Sequence, residues 1–445
     1  MSSLWSDNPP APGVARASNA PIEGATALKS RMHARLLDIL NLSLLDRTPR
    51  DSLRLEIRGA VVQLLTEEKR LLSPFQTDRL VDELLDEILG LGPLEPLLKD
   101  ETVNDILINT HDTIYVERGG RLEVTDVKFQ DTRHLVRIIN KIVAQVGRRV
   151  DESSPMVDAR LADGSRINAI IPPLAVDGPL VSIRKFSRSP ISMDKLVSFG
   201  SLTPDMAQVL SAIVQARRNV LISGGTGSGK TTLLNALSAF INERERIITI
   251  EDSAELQLQQ PHVGRLETRP PNLENKGEIS QRDLVRNSLR MRPDRIILGE
   301  IRSGEAFDML QAMNTGHDGS MTTVHANAPR DAVTRVEQMI GMAGFEISPR
   351  SVRQQIASAI HVIVQAERME DGKRRVTSIT EIAGMEEDVI TMQEIFRFRR
   401  RGLGPDGAIL GDYEATGVRP KFAEVLKGRG IELNPQLFAP SRRTF

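Results

Sequence analysis

The chain has 445 residues, of which 40 % are apolar, so it is long enough to bury the cores of about three domains. Its 58 basic and 59 acidic residues give a net charge of −1, and only 3 % of residues are aromatic, a composition that argues against a nucleic-acid-binding surface. The absence of cysteine excludes disulfides and thiolate metal sites. Because no apolar run approaches the ~18 residues of a membrane span and the N-terminus has no signal-peptide pattern, we expect a soluble, cytoplasmic protein.

The N-terminal part of the chain changes from an irregular to a helical pattern. Residues 1–25 are rich in Pro, Ser, Ala and Gly and have no periodicity, which predicts a disordered arm. From Ala27 onward apolar residues recur at three- and four-residue steps, and two further helices are predicted over Ser52–Lys69 and Phe75–Leu89. We expect a small helical bundle over 27–72, with the third helix leading into the next domain.

Residues 73–186 have the pattern of a small α+β domain. One helix is predicted over His134–Val146, and Asp163-Gly164 is a strong hairpin turn signal. The segment 186–190 resembles a hinge. The predicted strands are Asp105–Ile108, Thr113–Glu117, Val124–Val127, Arg166–Ile171 and Val181–Arg184.

From about Ile191 strands and helices alternate, which predicts an α/β domain with a doubly wound, mostly parallel sheet over 187–445. Its C-terminal tail carries a basic run, Arg399–Arg401, which is more typical of a solvated face than of an interaction patch. The predicted strands are Asn219–Ser223, Arg246–Ile250, Arg295–Leu298 and Ser320–Val324, and the predicted helices are Arg282–Met291, Ala306–Asn314 and Ala332–Gly341.

The segment Leu221–Thr232, LISGGTGSGKTT, has the G-x-x-x-x-G-K-[ST] spacing of a phosphate-binding loop between a strand and a helix. Glycines allow successive N–H groups to converge on an anion, and the helix dipole adds positive potential. Lys230 is expected to reach the β- and γ-phosphates of ATP, and the Thr231 hydroxyl is the predicted Mg²⁺ ligand. The predicted nucleotide-binding residues are Gly224, Gly225, Thr226, Gly227, Ser228, Gly229, Lys230, Thr231 and Thr232.

Two acidic segments follow predicted strands. The first delivers Glu251, Asp252 and Glu255 toward the phosphate loop, where a carboxylate could orient the attacking water, although Glu251 and Asp252 could merely cap the following turn. The second ends in Glu300, one residue after Gly299, the position at which such strands usually carry a Mg²⁺-linked aspartate. Metal coordination is then left to Thr231, the phosphates and water, with Glu300 acting through water or as a base.

The segment Thr315–Asn327, TGHDGSMTTVHAN, carries His317 and His325 on either side of a predicted strand. No set of acids or thiols completes a zinc shell around them. We interpret the two histidines as hydrogen-bonding sensors of the γ-phosphate, with an ordinary buried histidine as the alternative for His325.

In their order along the chain, these four segments resemble the Walker A motif, Asp box, Walker B motif and His box of the secretion ATPase superfamily, the hexameric motors of type II and type IV secretion and type IV pili. Further segments are similar to the CpaF/TadA subfamily, which powers tight-adherence (Flp) pilus assembly. The resemblance covers roughly residues 75–385. These further segments are 103–123, 156–179, 265–272 and 290–327.

The resemblance implies a RecA-like ATPase domain preceded by a PAS-like α+β domain and a helical bundle, with ATP bound between the N-terminal and C-terminal domains of a hexameric ring. Arginines of the N-terminal domain approach the γ-phosphate in this family. Their counterparts by motif position are Arg166 and Arg184, with Arg160 a weaker third. The base used by family members corresponds to Glu255, with Glu300 the alternate, and nothing in the spacing decides between them.

The resemblance also implies partners and a place in the cell: a homo-hexamer at the cytoplasmic face of the inner membrane, coupled to platform proteins of a pilus or secretion machine. The balanced charge and the scarcity of aromatic residues lead us to expect no nucleic acid among its partners. ATP binding would close the N-terminal domain onto the C-terminal core, with residues 186–190 acting as the hinge. Within the family, a conjugation or effector-export ATPase is the alternative. A nucleic-acid motor and a regulator that binds ATP without acting as a motor are hypotheses from other classes.

Overall fold

The computed structural model describes residues 25–39, 49–186, 190–271, 276–344, 346–405 and 407–444. The predicted disordered arm, except for its last residue, and the centre of the predicted hinge lie outside these ranges. A boundary between Phe186 and Ser187 divides the chain into two compact units. Within the described ranges, no helix combines the length and the apolar character that crossing a bilayer requires.

In its described residues, the first unit begins with three helices: α1 (Ala25–Ile39), α2 (Arg50–Glu67) and α3 (Pro74–Ile88). A capping box between Ser73 and Gln76 fixes the start of α3. All three helices contribute to one apolar core, so α3 belongs to the bundle, and the predicted end of the bundle at residue 72 was too early. The fully buried residues of this core include Met32, Leu36, Ile57, Val61, Val81 and Leu84.

The rest of the first unit is an antiparallel sheet of six strands in the order β3-β2-β1-β6-β5-β4. A short 3₁₀ turn (Gly92–Leu94) and α4 (Glu95–Lys99) lead into it, and α5 (Thr132–Gln145) packs its apolar side on one face. The strands are β1 Val103–Thr110, β2 Thr113–Arg118, β3 Arg121–Val124, β4 Met156–Arg160, β5 Arg166–Ile170 and β6 Leu180–Arg184. The helical bundle and the α+β fold predicted for this part of the chain are therefore confirmed.

Two turns set the register of this sheet. Gly119 and Gly120, with φ of 56° and 84°, form a two-residue turn that pairs Arg118 with Arg121. The third strand therefore ends at Val124, and the predicted strand Val124–Val127 was wrong because the Gly-Gly turn starts the strand earlier. The hairpin at Asp163-Gly164 is confirmed, with Arg160 opposite Arg166 and Gly164 at φ +93°.

The second unit is built on a sheet of ten strands in the order β16-β15-β14-β13-β12-β7-β11-β10-β8-β9, of which the six from β12 to β9 run parallel. These six are β7 Val220–Gly224, β8 Ile247–Glu251, β9 Val263–Glu267, β10 Arg295–Ile301, β11 Met321–Val324 and β12 Val362–Arg368. Their apolar side chains supply two separate cores, one on each face, which is the predicted doubly wound arrangement.

Eight helices cover the two faces of this sheet in the described part of the second unit. On one face lie α6 Met193–Ser198, α7 Pro204–Gln215, α8 Lys230–Ser238 and α13 Phe422–Gly428. On the other lie α9 Gln281–Ser288, α10 Glu305–Asn314, α11 Pro329–Met342 and α12 Pro349–Ala359. A 3₁₀ turn over Pro435–Phe438 precedes the last strand.

Four antiparallel strands, which the sequence pattern did not predict, extend the sheet beyond β12. They are β13 Arg374–Glu386, β14 Val389–Leu403, β15 Ile409–Ala415 and β16 Ser441–Thr444. The basic run of β14 lies here beside acidic partners: Arg399 is 3.8 Å from Glu414, and Arg401 pairs with Asp412. This pairing supports the interpretation of the run as a solvated face.

Candidate active site

Parallel pairing brings four sequence-distant segments to one edge of the sheet. Strand β7 lies between β12 and β11, with β10 and β8 following. Because parallel strands all end at the same edge, the phosphate loop after β7, His325 after β11, Glu300 near the end of β10 and Glu251 at the end of β8 are neighbours there. The crevice outside these strand ends is where doubly wound sheets bind their ligands.

The phosphate loop has the backbone that a phosphate nest requires. Gly227 and Gly229 have φ of +69° and +93°, and Gly229 is the N-cap of α8. The approach of β12 leaves no space for a side chain at Gly224, because a Cβ there would lie 2.2 Å from the carbonyl oxygen of Ala366. The buried Ser228 Oγ has no hydrogen-bond partner among the described residues. A loop held in this shape, with an unsatisfied polar atom, fits an anionic ligand.

Lys230 is the first residue of α8 and its side chain is buried. Its Nζ donates hydrogen bonds to the carbonyl oxygens of Gly224 (3.0 Å) and Gly225 (2.9 Å), so the ammonium lies inside the loop. Burial lowers the pKa of Lys230 from its ordinary value of 10.5, while the charge of Glu300 opposes that change. The predicted Mg²⁺ ligand, Thr231, and its neighbour Thr232 follow in the first turn of the helix.

His325 connects the phosphate loop to the acid of β10. Its Nε2 lies 2.8 Å from Oε1 of Glu300 and 3.4 Å from Nζ of Lys230. Burial lowers the pKa of His325 below its ordinary value of 6.5, which favours the neutral imidazole. A neutral imidazole nitrogen between an ammonium and a carboxylate is well placed to respond to a change of charge at the phosphates.

Arg302, which was not among the residues predicted from the sequence, holds the acidic side of the site together. Its Nη2 donates to Glu300 (2.8 Å) and its Nη1 to Asp252 (3.2 Å), and these carboxylates together with the charge of Glu255 raise its pKa. The predicted base Glu255 and its alternate Glu300 therefore both lie within electrostatic reach of one guanidinium. The signal for Arg302 in the sequence was its position two residues after Glu300, the acid near the end of a predicted strand.

Glu251 explains the glycine at the expected aspartate position. It is 4 % exposed, and its Oε2 accepts hydrogen bonds from the backbone N–H groups of Glu255 (2.7 Å) and Leu256 (2.8 Å). A Cβ at Gly299 would lie 3.0 Å from Cγ of Glu251, so the neighbouring strand needs a glycine there. Glu251 is thus a cap of the turn that carries Glu255, and burial raises its pKa to about 7.

The structure does not bring His317 to this edge. It precedes β11, at the opposite end of that strand from His325, and its Nδ1 lies 3.2 Å from the carbonyl oxygen of Ala312 at the end of α10. Its assignment as a sensor of the γ-phosphate was therefore wrong, because residues before and after a strand lie at opposite edges of the sheet.

The predicted arginines lie in the first unit, in one row across its sheet. Arg160 faces Arg166 and Arg166 faces Arg184 across neighbouring antiparallel strands, so the three side chains share one face. Acidic side chains lie near two of them: the exposed Asp158 is 3.6 Å from Arg166, and the half-buried Asp105 is 3.2 Å from Arg184. Like charges placed directly opposite one another across a sheet repel.

In the described part of the chain no group of three or more His, Asp or Glu residues is arranged to hold a metal ion. The Thr231 hydroxyl is the predicted protein ligand for Mg²⁺, and phosphate and water oxygens would supply the other ligands. The absence of a carboxylate cage is compatible with this chemistry, since Mg²⁺ in nucleotide sites keeps several waters.

A family model described as type II/IV secretion system protein matches residues 87–389. The chain belongs to this family. It is 36 % identical over 336 residues to a putative conjugal transfer protein of Mycobacterium tuberculosis (strain H37Rv), covering 74 % of this chain and 94 % of that protein. It is also 32 % identical over 339 residues to the type IV secretion system protein VirB11 of Bartonella henselae, covering 67 % of this chain and 94 % of that protein.

Among solved structures, this chain is similar to that of the pilus retraction motor PilT with bound ADP. The alignment covers 76 % of this chain and 86 % of the PilT chain, with a TM-score of 0.50 and 18 % identity. At this identity the likeness concerns the fold. The second unit accordingly has the RecA-like fold of the type II/IV secretion family, and its phosphate loop and three acidic or histidine segments lie within the matched residues, 87–389.

Proposed function

We propose that this member of the type II/IV secretion family is a Mg²⁺-dependent ATPase that converts ATP hydrolysis into mechanical work for a pilus or secretion machine. One observation supports this most strongly: the ammonium of Lys230, the imidazole of His325 and the carboxylate of Glu300 are consecutive neighbours at the carboxyl edge of the sheet. A phosphate-binding cation is thereby joined to a candidate base by a single side chain.

In the proposed reaction, Lys230 and the N–H groups of the phosphate loop bind the β- and γ-phosphates of ATP. Glu255 orients and deprotonates the attacking water, with Glu300 the alternate, and Arg302 holds the acidic side chains in position. Mg²⁺, held by the Thr231 hydroxyl, would neutralise charge that develops on the phosphates. We include Arg166 and Arg184 as further cations for the transferred phosphoryl group.

The test is phosphate release from ATP by the full chain with Mg²⁺. Lys230→Ala should lower kcat/KM by roughly 100-fold or more, since charge stabilisation by one well-placed donor has that magnitude, whereas Lys427→Ala at an exposed position of α13 should leave it unchanged. Comparing Glu255→Gln with Glu300→Gln identifies the base as the variant with the larger loss of kcat. Turnover that survives both substitutions would contradict the proposal and favour a regulator that binds ATP without acting as a motor.

We further propose a homo-hexamer that acts on inner-membrane platform proteins. The segments 103–123, 156–179, 265–272 and 290–327 favour tight-adherence pilus assembly. The long matches to a conjugal transfer protein and to VirB11 favour an ATPase of a type IV secretion system at least as well. Prepilin genes next to the gene for this chain would support the first, and conjugation or effector genes the second. ATPase activity that DNA stimulates with a steep salt dependence would instead indicate a nucleic-acid motor.

A further inference from the structure

The hairpin between β12 and β13 lies over the phosphate loop. Strand β12 runs parallel to β7 with Ala366 paired to Gly224, the first residue of the loop. The strand continues two residues further to Arg368, and after the turn β13 starts with Arg374 directly opposite. The sheet register therefore carries two arginines past the point where the loop begins.

Both arginine side chains contact the glycines that shape the loop. Nε of Arg374 donates a hydrogen bond to the carbonyl oxygen of Gly227 (2.8 Å), and a Cβ on Gly229 would lie 3.3 Å from its Cδ. A Cβ on Gly227 would lie 3.5 Å from Nη1 of Arg368. Two guanidinium groups thus lie beside the backbone whose N–H groups form the anion nest.

The charges of this hairpin favour an anion at that position. Two like charges directly opposite one another across antiparallel strands repel. A phosphate group near the loop would relieve the repulsion between Arg368 and Arg374.

We propose that Arg374, together with Arg368, binds the phosphates of a nucleoside di- or triphosphate from the side of the β12–β13 hairpin. The inference rests on the proposed nucleotide binding by the phosphate loop and adds an element that lies outside its motifs. The bond to Gly227 uses the Nε–H of Arg374, and the four N–H bonds of its two Nη atoms are not part of it. One guanidinium can therefore hold the loop in shape and bind a phosphate oxygen.

The experiment is a fluorescence titration of the full chain with ADP that carries an N-methylanthraniloyl group. Arg374→Ala should weaken binding roughly 5- to 20-fold, the lower part of the range for a charge-assisted hydrogen bond because the side chain is exposed. Lys373→Ala is the matched control, since it removes the same charge one residue earlier in the same hairpin. It should change the affinity less than about twofold, in line with a screened surface charge.

Two further variants separate phosphate binding from support of the loop. Arg374→Lys keeps the charge, while Arg374→Gln keeps an N–H donor for Gly227 without the charge. We expect the lysine variant to bind more tightly than the glutamine variant. A glutamine variant with the affinity of the unmodified chain, or an alanine variant equal to the Lys373→Ala control, would overturn the inference. Failure of the unmodified chain itself to bind the nucleotide would instead refute the proposed function.

Discussion

Replacing Glu251 with glutamine is expected to change how the stability of the second unit depends on pH. The carboxyl group is buried between β8 and β10, and burial raises its pKa to about 7 from an ordinary value of 4.5. The folded state therefore binds a proton more tightly than the unfolded state. The stability that this proton contributes is fully present below pH 4.5 and is lost as the pH rises through about 7.

The magnitude follows from the two pKa values. Between pH 5 and pH 8 the linkage relation gives a loss of about 2–3 kcal/mol in the free energy of unfolding of the unmodified chain. Glu251→Gln keeps an oxygen for the N–H groups of Glu255 and Leu256 but does not titrate, so this loss should vanish. The new amide NH₂ takes the place of Oε1, which has no hydrogen-bond partner in the described part of the chain, and its cost is the same at every pH.

The assay is urea denaturation of both proteins at pH 5, 6, 7 and 8, followed by circular dichroism, with the transitions of the two units fitted separately. The readout is the difference between the two proteins in their change of unfolding free energy from pH 5 to pH 8. Glu243→Gln, at an exposed position of the same unit, is the control and should behave as the unmodified chain. An identical pH dependence of the Glu251→Gln variant and the unmodified chain would refute the reasoning.

Two other predictions concern neighbours of this carboxyl group. Gly299→Ala places a methyl group 3.0 Å from Cγ of Glu251 and should cost about 1–3 kcal/mol of stability by overpacking. The control in the same denaturation assay is Gly402→Ala in strand β14, where the added Cβ would meet no atom within 4 Å. Equal stabilities of the two variants would contradict the packing argument. Arg302→Ala removes the cation that holds Glu300 and should lower the kcat of ATP hydrolysis by roughly 10- to 100-fold. The dissociation constant of ADP should change little. A normal kcat would show that the ion pair between Arg302 and Glu300 is not needed for turnover.

The sequence predicted the elements around the candidate site well where a motif and a strand end coincide. Strand β7, the phosphate loop and helix α8 occur as the spacing predicted, and the acids after β8 and in β10 lie at the same edge because parallel pairing leaves them no other place. His317 failed for the same geometric reason, since a residue before a strand lies at the far edge. Motif membership alone did not distinguish the two ends of β11.

The parts that the sequence did not predict depend on contacts between segments far apart. The alternation of β13–β15 is irregular, because bulges interrupt the pairing of β13 with β14 and of β14 with β15, so a strict two-residue period is absent. The role of Gly299 could not be predicted either, since the side chain that requires it comes from β8, about fifty residues earlier. Arg374 reaches the phosphate loop only through the register of β12 on β7.

The order of the ten-stranded sheet limits how copies of this chain can associate. Its two outer strands are β9, with 5 residues, and β16, with 4 residues. Each of these edge strands carries an exposed charged side chain, Arg265 on β9 and Arg442 on β16. Short, charged borders resist the addition of a strand from another molecule. In the proposed ring, contacts at this sheet would then form between side chains, which can separate and re-form during each cycle more readily than a continuous backbone ladder.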